Sequence, residues 1–321
     1  MPFSTRISAM AAAFSLTFGF VVPAVPQEPV QSQGTISTQV SLVSLFATVR
    51  DKNKRIVSDL KQEDFKVFQD NAEQKIAFFS KEVTLPITIG LLIDTSGSEQ
   101  NRLPAEQDAA TRFLERVMKK GDEAMVISFD LDVDLLSDFT DDRHIIERAI
   151  NKAKVNAVGG GGVVTPGTIP SNNGGTHFYD AVYLACAEKL GTEAGRKALV
   201  IITDAEDFGS KVRLEEAIEA AQRADTVVHV LLVHDPGYGW RPDVAKKLSE
   251  ETGGRTIEVS SEKKLEQAFD QISEELRSQY QIGYYYPAND KKDGGFRKIK
   301  VDAANKDYKV LARRGFYAPK E

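Results

Sequence analysis

Hydrophobic residues follow three successive patterns along the chain of 321 residues. Between residues 35 and 83, apolar and polar positions alternate in short runs such as TQVSLVSLFATVRD and FKVFQD, which predicts β-strands joined by turns. From residue 85 to about residue 277, short runs that are apolar at every position alternate with amphipathic segments of helical period. From residue 279 to 317 the strand-and-turn pattern returns. The order is therefore β unit, α/β unit, β unit.

The middle segment is predicted to form a doubly wound, mostly parallel α/β sheet of the Rossmann-like kind. Its strands are apolar on every position, so they need helices on both faces. The run VDLLSDF follows Phe129 too closely for a helical crossover, so we expect an antiparallel edge strand there. Strands are predicted at residues 87–93, 124–129, 198–203, 227–233 and 255–259, and helices at residues 104–119, 142–153, 178–190, 213–223, 242–251 and 262–276.

The two flanking β units, residues 35–83 and 279–317, are each too small to enclose a hydrophobic core. We therefore expect them to pack together as one discontinuous β domain, beside an α/β domain at residues 85–277. No internal repeat is evident.

The N-terminal stretch MPFSTRISAMAAAFSLTFGFVVPAVPQEP predicts a signal peptide at residues 1–24. One positive charge at Arg6 precedes an apolar run of about 16 residues, which is short for the roughly 20 residues of a membrane span. We expect mature protein from near Val25, periplasmic or secreted, with no transmembrane span after cleavage. An uncleaved anchor is the alternative. No cysteine directly follows the apolar run, so we expect no lipid-modified cysteine anchor, and the single Cys186 excludes an intramolecular disulfide.

Composition is that of a globular protein, with 41% hydrophobic and 27% charged residues and a formal charge of −6. No basic stripe is visible along the sequence. The balance of charge therefore gives no reason to expect nucleic-acid binding.

Oxygen-bearing side chains cluster at the ends of two predicted strands and at the start of a predicted helix. The run IGLLIDTSGSE ends in Asp94, Ser96 and Ser98; GGTHFYDA contributes Thr176, and VIITDAED contributes Asp204. Ligands collect at the carboxyl ends of strands in open α/β sheets. Two carboxylates and three hydroxyls, without nitrogen or thiolate, suit a hard cation, Mg²⁺ first.

These motifs, in this order, resemble the metal-ion-dependent adhesion site of von Willebrand factor type A (VWFA) domains. The resemblance covers about residues 85–277, and the full chain is similar to a bacterial exported group labelled VWFA-related, through VRDKNKRIVSDLKQEDFKVFQDNAEQKIAFFS and the terminal YQIGYYYP and ARRGFYAP. It implies that Ser96, Ser98 and Thr176 are metal ligands. Asp94 and Asp204 would bind Mg²⁺, or Mn²⁺ or Ca²⁺, directly or through water.

Two positions depart from the family pattern. Ala205 stands where the family often has glycine, and Glu99 where an apolar residue is common. We expect these changes to affect metal affinity or the choice of cation.

Other motifs fit their chemistry less well. The run DLDVD at residues 130–134 lacks the glycine and distal glutamate of an EF-hand loop, so a solvated hairpin is the better interpretation. GGGG at 159–162 lacks the Gly-Lys-Ser/Thr of a phosphate loop. Nucleophilic catalysis by Ser96 or Ser98 would need a base such as His177, and no G-x-S-x-G elbow is present.

Three functional hypotheses follow. The favoured one is a metal-dependent binding or adhesion module that recognises a carboxylate of a protein or surface polymer. The second is a structural envelope component whose metal is vestigial or stabilising, and the least favoured is a hydrolase. The loop at residues 155–175 has seven glycines and leads into Thr176, so we expect it to border the metal and contact the partner.

Overall fold

The computed structural model describes residues 41–81, 85–155, 175–233 and 239–320. The predicted signal peptide and the glycine-rich part of the loop before Thr176 lie outside these residues. The strands are β1 (Leu42–Arg50), β2 (Phe65–Gln69), β3 (Ala72–Gln74), β4 (Ile76–Ser80), β5 (Ile87–Asp94), β6 (Glu123–Phe129), β7 (Val133–Thr140), β8 (Arg196–Thr203), β9 (Thr226–Val233), β10 (Thr256–Val259), β11 (Tyr280–Tyr285), β12 (Phe296–Ala303), β13 (Lys309–Leu311) and β14 (Gly315–Tyr317).

The helices occur where the apolar stripes predicted them. The third helix continues through Ala185–Lys189 as a π-helical turn that contains the buried Cys186. The α-helices are α1 (Leu103–Val117), α2 (Arg143–Ile150), α3 (Phe178–Leu184), α4 (Leu214–Arg223), α5 (Pro242–Thr252) and α6 (Glu262–Arg277). In the described part of the chain, no helix is both long and apolar enough to cross a membrane.

A six-stranded sheet in the order β10-β9-β8-β5-β6-β7 forms the centre of the α/β region. All pairs are parallel except β6 with β7, which is the antiparallel edge strand that the short connection predicted. Every residue of β5 is buried, because Leu91 packs under α1, α2 and α6 while its neighbour Leu92 packs under α3, α4 and α5. The predicted doubly wound, mostly parallel fold is confirmed.

The flanking strands form two four-stranded sheets, in the orders β13-β1-β11-β4 and β14-β12-β2-β3. Each sheet mixes strands from before and after the α/β region. For example, Leu45 of β1 lies opposite Ile282 of β11, and Val67 of β2 lies opposite Val301 of β12. Leu45, Val67 and Ile282 belong, with Tyr280, to one hydrophobic core, and Val301 packs against it. The exact domain limits remain predictions.

Buried charged residues lie where the two parts of the chain meet. Glu275 of α6 accepts a hydrogen bond from Arg50 Nε of β1 at 2.7 Å and lies 2.8 Å from Arg255 Nε. His229 of β9 is buried beside them, with its Nδ1 3.7 Å from Glu275 Oε2. These contacts join α6 to the first strand of the β unit.

Arg196, at the start of β8, connects the two ends of the α/β region. The residue is 2% exposed, and its guanidinium donates to the carbonyl oxygens of Leu85 and Leu276, and to Gln279 Oε1 at 2.7 Å. Leu85 precedes the first strand of the region and Leu276 belongs to its last helix. One side chain therefore holds together the points where the chain enters and leaves the sheet.

Candidate metal centre

Four of the five predicted ligands lie at neighbouring strand ends. Asp94 is the last residue of the buried β5, and Asp204 directly follows the adjacent β8. Ser96 precedes, and Ser98 lies within, a short 3₁₀ turn at Gly97–Glu99. The parallel alignment of β5 and β8 brings these residues to the same edge of the sheet.

Hydrogen bonds connect these four residues. Ser98 Oγ donates to Asp204 Oδ2 at 2.8 Å, and Ser96 Oγ and Ser98 Oγ lie 2.9 Å apart. The Ser96 amide donates to Asp94 Oδ1 at 2.9 Å, while Thr203 Oγ1 donates to Asp94 Oδ2 at 2.6 Å. The second oxygen of Asp204 accepts from the Glu206 amide at 2.9 Å. Both carboxylates are thus held in fixed orientations.

The two carboxylates are close enough to influence each other's ionisation. Asp94 is fully buried, and loss of hydration, followed by repulsion from Asp204, raises its pKa to about 7. Burial also raises the pKa of Asp204. Negative charge is therefore unfavourable at this point of the molecule unless a cation is nearby.

Thr176 is fixed through its main chain. It forms an isolated antiparallel bridge with Phe208, in which each amide donates to the other residue's carbonyl, at 3.1 and 2.9 Å. The next amide, His177 N, donates to the Asp130 carbonyl at 2.7 Å, and Thr95 Oγ1 donates to Asp130 Oδ2 at 2.9 Å. These bonds tie Thr176 to the loop that carries Ser96 and Ser98.

Asp130 has a role that the sequence interpretation missed. The sequence predicts a solvated hairpin at residues 130–134. The strands β6 and β7 do form that hairpin, but the Asp130 side chain is buried and accepts a hydrogen bond from Thr95. Thr203, which donates to Asp94, was also not recognised. The signal for both was available, because each lies at the end of a strand adjacent to β5.

The two departures from the family pattern have physical counterparts. Ala205 has a φ of 63°, in the left-handed region where glycine is favoured, so alanine adopts a less favourable backbone there. Glu99 is buried close to Glu106, and burial, with Glu106 as the next cause, raises its pKa to about 10. Protonated at neutral pH, Glu99 adds no charge beside the two aspartates.

The donor set fits a hard divalent cation. A hydroxyl that donates to a carboxylate, as Ser98 does, keeps lone pairs for a cation, and each carboxylate oxygen can accept more than one bond. A cation would also offset the repulsion between Asp94 and Asp204. In the described residues there is no group of three or more His, Cys, Asp and Glu side chains placed to hold a metal. The candidate set is of another kind, with two carboxylates and three hydroxyls.

The arrangement does not favour nucleophilic chemistry. His177 packs against Gly209, where an added Cβ would lie 2.9 Å from its Nε2. Within the described residues, no hydrogen bond joins a histidine to Ser96 or Ser98. The serine hydroxyls instead point to each other and to Asp204.

Comparison with known proteins agrees with this geometry. Residues 89–207 match the family model of the von Willebrand factor type A domain. A search of curated proteins found no match.

Three solved structures share the fold. Proximal thread matrix protein 1 from the mussel byssus has 16% identity and a TM-score of 0.50, covering 65% of this chain and 51% of its own. A second structure of that protein, described with a zinc-occupied MIDAS (metal-ion-dependent adhesion site) motif, has 16% identity and a TM-score of 0.51. It covers 65% of this chain and 50% of its own. A von Willebrand factor type A protein from Catenulispora acidiphila has 12% identity and a TM-score of 0.50, covering 80% and 73%.

This chain spans about half the length of the mussel protein, and at these identities the likeness concerns the fold alone. The family match covers the strand ends that carry Asp94, Ser96, Ser98, Thr176 and Asp204. The chain therefore contains a von Willebrand factor type A domain.

Proposed function

We propose that the protein is a metal-dependent binding module, with Mg²⁺ held by Asp94, Ser96, Ser98, Thr176 and Asp204, and that it recognises a carboxylate of a protein or surface ligand. The observation that carries the proposal is the bonded chain Asp204–Ser98–Ser96 beside the fully buried Asp94. Two acids in a desolvated, mutually repulsive arrangement are stabilised by a cation.

The residues of this chain have distinct parts in that proposal. Ser96, Ser98 and Thr176 offer neutral hydroxyl oxygens, and the two aspartates bind directly or through water. Where the direct ligands are mainly the neutral hydroxyls and the aspartates bind through water, the cation would keep positive charge toward the partner. Because the ligands come from one edge of the sheet, a partner approaches from outside that edge. An Asp or Glu carboxylate is the best complement to such a charge.

Two further elements of the proposal concern residues outside the described ranges. We infer export to the periplasm or medium from the signal-like residues 1–24. We also place partner contacts on the loop at residues 155–175, because it leads directly into Thr176. The zinc-occupied MIDAS motif of the mussel protein shows that a structure of similar fold holds a divalent metal.

Metal binding is tested directly by titrating the purified protein with Mn²⁺, followed by electron paramagnetic resonance, with Mg²⁺ as competitor. We expect saturable binding to the native protein and a loss of about tenfold or more in affinity for Ser96→Ala and Thr176→Ala. Ser58→Ala, which removes an exposed hydroxyl between β1 and β2, outside the α/β sheet, is the matched control. Equal binding by all four proteins would refute the ligand set.

Recognition is tested by crosslinking in the native envelope with and without EDTA, followed by identification of the proteins whose crosslinks are lost. Binding of such a partner must return with Mg²⁺ or Mn²⁺ and fail when one partner acid becomes its amide. A partner whose binding is indifferent to EDTA would support a structural role instead. Turnover of a substrate by the native protein, lost in Ser96→Ala, would support the hydrolase hypothesis.

A further inference from the structure

The charges of the chain are divided unequally between its parts. Residues 85–278 contain 22 Lys and Arg against 34 Asp and Glu, whereas residues 41–81 and 279–321 contain 18 Lys and Arg against 11 Asp and Glu. The overall charge of −6 therefore conceals a basic β unit beside an acidic α/β region. The basic side chains belong to two segments that are far apart in sequence, and the fold brings these segments together.

Several of these side chains surround an open cleft of about 660 Å³ between β12 and β13. The apolar side chains that line it belong to the β core or pack against it, and include Val301, Tyr308 and Val310. Basic residues that line it are Lys66, Lys300, Lys306, Lys309, Arg313 and Arg314. The cleft thus has an apolar floor and a cationic rim.

Both strands that border the cleft have an open edge there. β14 pairs only with Phe296–Lys298 of β12, while the remainder of β12 pairs with β2 on its other side. The Ile299 amide still bonds to the Arg314 carbonyl at 2.7 Å, so the amides of Val301 and Ala303, two and four residues later, point to the same side, toward the cleft. β13 is the outermost strand of its own sheet.

Part of the rim charge is available to a partner. Lys300 pairs with Asp302 at 2.6 Å, and Arg314 with Glu250 at 2.7 Å. Lys306 and Lys309, in contrast, have no carboxylate within ion-pair distance among the described residues. An acidic group that enters the cleft would therefore meet two lysines that no internal acid neutralises.

We propose that this cleft binds an acidic, extended peptide segment of another protein, which adds as a strand along the free edge of β12. The main chain of such a segment would pair with the outward-pointing groups of Val301 and Ala303, as in other cases of strand addition. Alternate side chains would face the apolar floor and the lysine rim, so the matching sequence alternates apolar and acidic residues. The proposal is independent of the metal centre.

Two other anionic partners match the observations less well. A polysaccharide provides the charge but neither a ladder of amide groups nor apolar side chains for the floor. A lipid surface is flat, whereas the basic residues surround a concavity. Both are included as outcomes of the test.

The probe is a fluorescein-labelled octapeptide that alternates glutamate and valine, with blocked termini, titrated with the full-length protein and followed by fluorescence anisotropy. We expect saturable binding, and a loss of about tenfold or more when every second residue of the peptide is N-methylated, because one or more main-chain bonds disappear at unchanged charge. Replacing glutamate by lysine in the peptide should abolish binding. Equal affinity of the N-methylated peptide would overturn the proposal.

The variants Lys306→Glu and Lys309→Glu should each weaken binding, whereas Lys75→Glu, an exposed lysine outside the cleft, should not. Val301→Pro removes a cleft-facing amide and should weaken binding of the peptide, and its thermal melting shows whether the variant is folded. The N-methylated peptide tests the same main-chain hydrogen bonds without altering the protein. Tighter binding of polyglutamate or heparin than of the octapeptide, or binding to vesicles of anionic phospholipid through Lys306 and Lys309, would replace the peptide site with a polyanion or membrane site.

Discussion

Replacing Asp94 by asparagine is expected to stabilise the metal-free protein at neutral and alkaline pH while it abolishes metal binding. The carboxyl group is fully buried, and burial together with Asp204 raises its pKa from 3.8 to about 7. Asparagine has nearly the same shape and can still accept the bond from the Ser96 amide. It carries no charge, so the unfavourable charged state is removed.

The size of the expected stabilisation follows from the shift in the pKa of Asp94. Between pH 3.8 and 7 the folded state binds the proton of Asp94 more tightly than the unfolded state does. The free energy of unfolding therefore falls by about 1.4 kcal/mol per pH unit as pH rises through this range, by about 4 kcal/mol in all. Asparagine avoids this loss, but its amide replaces the oxygen that accepts from Thr203, at a cost of about 1 kcal/mol. A net gain of about 3 kcal/mol is expected at pH 8.

The assay is urea unfolding in EDTA at pH 5 and pH 8, for the native protein, Asp94→Asn and the exposed control Asp134→Asn. The advantage of Asp94→Asn should be largest at pH 8 and should shrink at pH 5, and added Mg²⁺ should stabilise only the proteins that retain Asp94. The reasoning is wrong if Asp94→Asn is less stable than the native protein at pH 8 in EDTA, or if the difference does not depend on pH.

Three further outcomes are expected. Burial lowers the pKa of His229 from 6.5 to about 3, so this group stabilises the fold above pH 6.5 and loses that contribution as pH falls. Between pH 7 and pH 5, the free energy of unfolding measured in urea should fall by about 2 kcal/mol more for the native protein than for His229→Phe. N-terminal sequencing of exported protein should begin near Val25, and an intact Met1 on cytoplasmic protein would contradict the export proposal. Truncation after residue 278 removes the partners of β1 and β2 and should cause aggregation; limited proteolysis that still protects both would contradict the shared core.

The α/β fold was predictable because its signals are local. A strand such as β5, buried at every position, and a helix such as α6, with one apolar stripe, each show their environment in a few consecutive residues. The pairing of β1 with β11 and of β2 with β12 could be expected only in outline. Strand order and register depend on contacts between residues more than 200 positions apart, which a single sequence does not specify.

The candidate site was predictable to the extent that it follows from topology. Asp94 and Asp204 end neighbouring parallel strands, so the general rule for strand ends brings them together. The buried position of Asp130 was missed, because a run of alternating aspartates has the composition of a solvated turn. The basic cleft was missed although five of the six basic residues that line it lie between residues 300 and 314, because the open edge of β12 beside them exists only after folding.

The position of Arg196 has a consequence for the order in which the protein folds. Closing the chain between Leu45 and Ile282, 237 residues apart, costs about 5 kcal/mol in loop entropy if the intervening chain is unfolded. Once the α/β region has folded, Arg196 holds Leu85 and Leu276 together, and the loop that remains is only tens of residues long. The cost then falls by about 1.5 kcal/mol, which corresponds to roughly a tenfold faster closure. We therefore expect β1 and β2, although synthesised first, to complete their sheets only after the central region has folded.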